Sequence, residues 1–353
     1  MGAGTEGSRL TAGACAALAG TNIALVKYWG KRDRTLNLPA TGSLSLTLKE
    51  LGTRTRVRFG AAPGPDRVTL NGAPADERTQ RRVTAFLDRV RRRAGIDAAA
   101  EVVTENSVPT ASGLASSASG FAALALAASR AAGLALPEAE LSELARLGSG
   151  SAARSIFGGF VAMARGQRAD GRDAVAAPIG GEAGVDGGGA AGWDLRLVVA
   201  VTAAGEKPLG STEAMEHTAR TSPFYAAWVA SADADLAEAR AAVVARDLAR
   251  LGAVAERSAL RMHATAMAAD PAILYWNAAT LGAMRATLSL RARGIAAYFT
   301  IDAGPHVKVL CAPGDAAGVA DALGAVPGVL RTITASPGPG ARIIAVEDQG
   351  DVT

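Results

Sequence analysis

Residues 43–48 read Ser-Leu-Ser-Leu-Thr-Leu, a period of two that predicts a strand with one buried face. Residues 53–59 alternate Arg with Thr and Val and predict a second strand. The stretch 66–70 runs into Asn71-Gly72, a strong turn signal. Helical spacing follows in 77–94, where Val83, Phe86, Leu87 and Val90 share a face and Gly95 ends the run. Residues 100–104 predict a strand and 121–130 an apolar helix. A helix over 138–147 follows the break at Pro137, and 157–164 returns as a strand. Ahead of all these, 13–24 is small and apolar and follows a loose tail.

The pattern then weakens. Between 167 and 192, Gly180, Gly181, Gly184 and the run Gly187-Gly188-Gly189 mark a surface loop. The lobe boundary is placed there, giving an N-terminal lobe over 1–190 and a C-terminal lobe over 191–353. Beyond it, 195–202 predicts an apolar strand, followed by helices over 224–243, 248–267 and 273–293. Residues 296–301 predict a strand ending at Asp302, then come a strand over 307–311, a helix over 316–323 and a last strand over 341–346. Helices and strands mix without a strict strand–helix rhythm, which predicts an α+β fold over a doubly wound sheet. No repeat of solenoid period is visible.

Bulk properties narrow the function. At 353 residues the chain can bury a substantial core, and its length favours two lobes around one cleft. Hydrophobic residues at 49% and charged residues at 20% suit a soluble globular protein. A net charge of +4 does not by itself imply nucleic acid. The basic cluster Arg89, Arg91, Arg92 and Arg93 sits beside Asp88 and Asp97 and lacks aromatic neighbours, so it reads as a solvated helix face. An acidic small molecule fits the mild positive balance equally well. Cys15 and Cys311 lack metal-ligand spacing, which suggests a reduced, cytoplasmic setting. His217, His263 and His306 are isolated, so no zinc site is expected. Neither a secretory signal nor a run of membrane-spanning length is expected.

Five segments carry candidate chemistry. The segment 109–119, Pro-Thr-Ala-Ser-Gly-Leu-Ala-Ser-Ser-Ala-Ser, joins a strand to an apolar helix. Its small residues let backbone approach a ligand, and Ser116 and Ser117 fall where helix N–H groups lack partners. That end suits phosphate. The loop has neither a Gly-Lys-Ser/Thr nor a Gly-x-Gly-x-x-Gly pattern, so it is a third kind of phosphate cradle, with ATP the first suspect. A plain turn into a buried helix is the competing explanation. Lys27, Tyr28, Trp29, Gly30 and Lys31 place two ammonium groups near one another, on a helix face or around a turn at Gly30, and so invite a polyanion. An ordinary lysine-bearing surface loop is the alternative, against which the two aromatics count. Ser149, Ser151 and Arg154 form a second candidate anion site at a helix start; a capped turn with a surface arginine would look the same. Ser211 and Thr212 open a helix with Glu213 in its first turn, and simple capping accounts for them. Asp302 ends a strand before Ala-Gly-Pro, as a turn former or as a positioned base.

Taken together, these segments resemble the diphosphomevalonate decarboxylase family, within the wider superfamily of galactose, homoserine, mevalonate and phosphomevalonate kinases. The matching pieces are Asn-Ile-Ala…Lys-Tyr-Trp-Gly-Lys-Arg-Asp…Leu-Asn-Leu-Pro from residue 22, the loop 109–119, Gly-Ser-Gly-Ser-Ala-Ala-Arg-Ser from 148, Ser-Thr-Glu-Ala-Met from 211, His263-Ala-Thr, and Asp-Ala-Gly-Pro-His from 302. The resemblance implies a two-lobed small-molecule kinase fold, a ribosomal-protein-like N-terminal lobe and a ferredoxin-like C-terminal lobe, with ATP between them. It implies ATP-dependent decarboxylation of mevalonate 5-diphosphate to isopentenyl diphosphate, with Mg²⁺, in a cytoplasmic homodimer. A kinase that stops after phosphorylation, or a decarboxylase using the monophosphate, is the alternative. The implied roles are these. Asp302 meets the substrate's tertiary hydroxyl, and Lys27 lies beside it. Tyr28, Lys31, Ser149, Ser151, Arg154, Ser211 and Thr212 hold the diphosphate. Pro109, Ser112, Gly113, Ala115, Ser116 and Ser117 hold the nucleotide phosphates, with Thr104 and Asn106 toward its base; Ser116 and Ser117 also approach the metal. Two departures stand out: Ala153 where relatives often carry cysteine, and Thr212 where some carry arginine.

Overall fold

The computed structural model describes residues 13–60, 64–107, 116–180, 193–205 and 209–345. The expected phosphate-loop residues Pro109, Ser112, Gly113 and Ala115 lie outside these, as do residues 181–192 of the expected surface loop; its first part, 167–180, is described and contains the short paired strand Ala176–Pro178.

The first half of the chain builds most of one mixed sheet and a separate two-stranded sheet of its second and third strands. Its elements are β1 (Ala14–Val26), β2 (Lys31–Asp33), β3 (Leu38–Pro39), β4 (Ser43–Phe59), β5 (Arg67–Leu70), β6 (Ala73–Pro74), α1 (Glu77–Ala94) and β7 (Ala100–Asn106). Then come α2 (Ser116–Ala131), α3 (Glu138–Gly148), α4 (Ala152–Ser155), β8 (Phe160–Met163) and β9 (Ala176–Pro178). The two strands expected over 43–48 and 53–59 are one continuous strand. Leu48 and Leu51 stay buried between the two alternating runs, and the carbonyl of Ala19 would meet a Cβ on Gly52 at 2.7 Å, so β1 lies close against β4 at that point. β4 pairs antiparallel with β1, with β7 on its second half and with β8 on its first half. Strand β8 is shorter than the expected 157–164, because Gly158 and Gly159 precede it in a turn against the backbone of Gly338–Gly340.

The second half builds a four-stranded antiparallel sheet. It contains β10 (Arg196–Val201), α5 (Ser211–Thr221), α6 (Tyr225–Ala245), α7 (Leu248–Met267) and α8 (Ala278–Ala292). It ends with β11 (Tyr298–Ile301), β12 (Val307–Cys311), α9 (Ala316–Gly324), β13 (Arg331–Ala335) and β14 (Arg342–Ile344). The sheet order is β11-β12-β10-β13, whereas β14 returns to pair with β1 in the first sheet. Helix α8 starts later than the expected 273, because Asn277 and Thr280 form a capping box there. Ile273 and Tyr275, ahead of that cap, are buried in extended chain.

Four apolar clusters hold these layers. One lies under α1, α2 and α3 on the first sheet and another under α8 and α9 on the second. A third crosses between the halves: Ile23, Leu25, Leu44 and Leu46 from β1 and β4 meet Leu197 and Val199 from β10 and Leu251 and Val254 from α7. Each such side chain adds about 1.5–3 kcal/mol when fully buried, so the two sheets share one core. The fourth packs Tyr28 and Trp29 against Trp228, Met262 and Tyr275, which pins the end of β1 beside the second half. Among the described residues no helix is long and apolar enough to cross a membrane.

Candidate active site

The seam between the two halves collects the charged candidates. β1 ends at Val26 and delivers Lys27; β11 ends at Ile301 and delivers Asp302. The Lys27 Nζ donates to Asp302 Oδ1 at 2.7 Å and to the Ala24 carbonyl at 2.7 Å, and its backbone N–H donates to Ser258 Oγ. The turn that carries Asp302 is clamped. Thr202 Oγ1 and Thr280 Oγ1 both donate to the Pro305 carbonyl, and the Thr202 N–H donates to His306 Nδ1. Asp302 is thus both a turn residue and a fixed carboxylate, a choice that spacing had left open.

Lys308 takes the other carboxylate oxygen, with Nζ 3.1 Å from Asp302 Oδ2. Arg154 stands nearby from α4. Its guanidinium donates to Ser45 Oγ at 2.9 Å, Ser43 Oγ at 2.7 Å and Asn22 Oδ1 at 3.3 Å, and lies 5.9 Å from the centre of the Tyr28 ring. Lys27, Lys308 and Arg154 are each 1% exposed. One carboxylate therefore serves three buried cations. Buried charge is costly unless paired, so this surplus of positive charge suits an anion.

The protonation states follow from that crowding. Burial pulls the Lys27 ammonium down to about 8, against the opposing pull of Asp302. Burial also pulls Arg154 down to about 10, where it stays charged at neutral pH. Burial alone would push Asp302 up, but Lys27 and Lys308 together hold it well below the usual carboxylate range. His263, buried beside Trp276, is pushed down to about 3 by burial and then by Lys27, so it is neutral.

A second group of candidates gathers around Lys31 and Tyr28. Residues 27–30 form no helix; Gly30 turns the chain at φ 103°, with the Tyr225 side chain where a Cβ would be. Lys31 Nζ donates to Asn37 Oδ1 at 2.7 Å and to Thr212 Oγ1 at 3.1 Å. Burial lowers Lys31 to about 8, with Glu216 opposing. The Tyr28 hydroxyl donates to the Asn37 carbonyl, and its ring packs where a Cβ on Gly150 would sit. Ser149 Oγ lies 3.4 Å from Ser151 Oγ and 3.5 Å from Ser117 Oγ at the start of α2. This brings together the two serine-rich motifs. Ser151 is the cap residue of α4, as expected, but makes no side-chain cap bond to this four-residue helix, so its hydroxyl joins that of Ser149 in a cluster at the helix start.

The other expected residues fall as follows. Thr212 joins Lys31, while Ser211 opens α5, whose cap residue is Gly210 without a side-chain cap bond. Thr104 shares a hydrogen bond with Thr55, and Asn106 accepts from Thr53 Oγ1, at the end of β7 nearest the phosphate loop. Ser116 is the first residue of α2. Ala153 is buried in the core of the first half, as a cysteine there would be.

Sequence reasoning assigned no role to Lys308, Ser43, Ser45, Asn37 or Arg82. Arg82 lies 5.0 Å over the Phe121 ring and close enough to Lys31 to repel its charge, so it adds a cation to the outer group. A lysine inside the wholly buried strand Val307–Cys311 was the one legible signal among these. Serines 43 and 45 gave none, because a strand's polar face looks the same whether it meets water or a buried arginine.

Known proteins place this geometry. Residues 19–176 match the family described as diphosphomevalonate decarboxylase-like N-terminal domain, and residues 197–334 the mevalonate 5-diphosphate decarboxylase C-terminal domain. Diphosphomevalonate decarboxylase mvd1 of Aspergillus fumigatus is 35% identical over 350 residues, spanning 90% of this chain and 84% of that protein. The mevalonate diphosphate decarboxylase of Enterococcus faecalis, described with its mevalonate diphosphate mediated ATP binding mechanism, superposes with a TM-score of 0.85 at 39% identity, covering 94% of this chain and 99% of that one. MDDEF in complex with MVAPP, AMPPCP and magnesium gives a TM-score of 0.86 at 39% identity with the same coverage, 94% and 99%. Two matched domains in order, with relatives similar along nearly the whole chain, lead to one statement: this chain belongs to the diphosphomevalonate decarboxylase family.

Proposed function

We infer that this protein catalyses the ATP-dependent decarboxylation of mevalonate 5-diphosphate, giving isopentenyl diphosphate, ADP, phosphate and CO₂. The observation that carries the reading is the seam itself: Asp302 among Lys27, Lys308 and Arg154, beside the hydroxyls of Ser149, Ser151 and Ser117. Such a site suits a substrate with a hydroxyl to be phosphorylated and anions at both ends.

The chemistry runs in two stages. Asp302 accepts a hydrogen bond from the 3-hydroxyl and takes its proton as that oxygen bonds the γ-phosphorus and the bond from the phosphorus to the ADP oxygen breaks; a strongly held carboxylate suffices, because loose phosphoryl transfer needs little base strength. The 3-phosphate then leaves with the C3–O electron pair. The bond between the carboxyl carbon and C2 breaks, CO₂ departs, and that electron pair forms the C2–C3 double bond. The fixed cations stabilise the departing phosphate.

Placement supports a division of labour. Lys31, Thr212, Tyr28, Arg82 and Ser211 line the outer part and suit the diphosphate. Arg154, given to the diphosphate by resemblance, couples electrostatically to Asp302, and Lys31 does not. That favours the carboxylate end of the substrate for Arg154. The nucleotide phosphates then lie along 109–117, with Thr104 and Asn106 toward the base. Magnesium, when bound, neutralises charge on the transferred phosphoryl group. The residues offer it oxygen ligands: Ser117 is an exposed hydroxyl beside the serine cluster. No group of three His, Cys, Asp or Glu among the described residues could hold a metal, so nucleotide phosphates with Ser116 and Ser117 would supply its ligands.

The lobe division near 190 is supported by the gap between the matched stretches, with β14 crossing back to the first half. Two buried free cysteines support a cytoplasmic setting, and the exposed Leu281 and Leu288, seven apart on α8, support a homodimer.

The deciding experiment measures CO₂ and ADP release with mevalonate 5-diphosphate and with the monophosphate. Equal ADP and CO₂ on the diphosphate is the expected result. ADP without CO₂ would make the protein a kinase, and a preference for the monophosphate would reassign the outer cations. A pH profile adds a check. Lys27 and Lys31 lose their protons as pH rises through about 8, which removes cations from both ends of the free site. Hence kcat/KM, which reports the free enzyme, should fall along an alkaline limb centred near that pH. A profile flat to about pH 10, the ordinary lysine range, would contradict those environments.

A further inference from the structure

Lys27 and Asp302 follow from the family reaction, but a second buried ammonium on the same carboxylate does not. Lys308 leaves β12 opposite Thr300 of β11 and is 1% exposed. Its Nζ is 3.1 Å from Asp302 Oδ2, while Lys27 Nζ is 2.7 Å from Oδ1. A carboxylate held at each oxygen by a different element cannot rotate about its Cβ–Cγ bond without breaking an ion pair. Lys27 alone would leave that plane free to swing. Stability does not account for Lys308, since an apolar side chain in this wholly buried strand would avoid the desolvation of an ammonium.

We propose that Lys308 is a positioning residue for the reaction: it fixes the plane of the Asp302 carboxylate toward the substrate hydroxyl and keeps Asp302 an ionised acceptor. The proposal rests on the decarboxylase reading for its consequence, and on geometry alone for the contact. The charged and titratable groups facing Asp302 are Lys27 from the end of β1, Lys308 from β12, Arg154 from α4 and the neutral His263 from α7; His306 flanks Lys308 and is neutral as well. Burial alone would raise the carboxylate, and the two lysines outweigh it. Without Lys308, Lys27 and Arg154 remain. Asp302 would then still ionise, but at higher pH and with a looser plane.

The test compares Lys308→Met, neutral and of similar length, with Lys308→Arg, which keeps the charge. Carbon-13 carboxyl spectra of the ligand-free protein follow Asp302, its signal identified by its loss in Asp302→Asn. In the wild type the signal should stay ionised to below the ordinary carboxylate range. In Lys308→Met its midpoint should rise by about one pH unit or more, and in Lys308→Arg it should stay near the wild-type position. The acid limb of kcat should move the same way, with kcat down about tenfold to a hundredfold and the nucleotide KM within about twofold. Thermal unfolding checks each variant, and Lys308→Gln takes the place of Lys308→Met if that chain does not fold. An unmoved Asp302 midpoint, or an unmoved acid limb in a variant with a moved midpoint, overturns the proposal. Absence of CO₂ release by the wild type would instead sink the decarboxylase reading, and the spectra would still judge the Lys308 contact.

Discussion

Asp302→Asn is expected to lower kcat about a thousandfold or more while ATP binds nearly as well. The amide keeps the shape of the carboxylate but cannot accept from both lysines, because one of its two ends is a donor. Lys27 and Lys308 then face an –NH₂ group or each other, and both lose the counter-ion that offsets their burial. The substrate hydroxyl loses its acceptor at the same time, so its lone pair is no longer aimed at the γ-phosphoryl group. With the nucleotide assigned to the α2 side, as proposed above, its affinity should not register the change. Two measurements separate the outcomes: turnover with saturating substrates, and nucleotide affinity by calorimetry. Thermal unfolding belongs beside them, since removing one partner of a buried pair commonly destabilises by about 3–5 kcal/mol, less here because Asp302 is 26% exposed. A folded variant that keeps more than about a tenth of wild-type turnover would remove Asp302 from the chemistry.

The reason Asp302 and Lys27 were legible in the sequence is that each stands at a strand end in an apolar context, inside a rare string of residues. Their partners were hidden by ordinary patterns. Ser43 and Ser45 satisfy the alternation of a half-exposed strand, yet both are fully buried against Arg154. Period two reports that a strand has two faces, never what covers each. The same limit split β4 into two expected strands, because the exposed pair Lys49 and Glu50 interrupts the alternation where the pairing with β1 shifts register. The return of β14 to β1 is a long-range pairing with no local signature, and so is the meeting of Ser117 with Ser149. Helix boundaries failed where a cap outweighed periodicity, as Asn277 did for α8. Asn37 was invisible for another reason. Its φ of 51° lets one residue present a carbonyl to Tyr28, an amide oxygen to Lys31 and an amide N–H₂ to the last carbonyls of α3, and that conformation is not written in its neighbours.

Arg154→Ala should lower kcat/KM for mevalonate 5-diphosphate about a hundredfold or more, with ATP affinity almost unchanged. The guanidinium is held by three neutral oxygens, from Ser45, Ser43 and Asn22, and among the described residues it makes no ion pair. Those hydroxyls orient the fork without neutralising it. Its charge is thus available to an incoming anion in a setting that water does not screen. Loss of the side chain removes this cation and also frees Tyr28, whose ring it flanks. Arg154→Lys should recover part of the loss but not all, since an ammonium cannot reach Ser43, Ser45 and Asn22 together with a ligand. The substrate series decides which anion Arg154 reads. If it meets the carboxylate beside Asp302, the penalty should be the same factor for the diphosphate and the monophosphate. Lys31→Ala, on the outer group, should instead penalise the diphosphate far more than the monophosphate. A penalty for Arg154→Ala that vanishes with the monophosphate would return Arg154 to the diphosphate, and an equal loss of ATP affinity would move it out of the substrate site altogether.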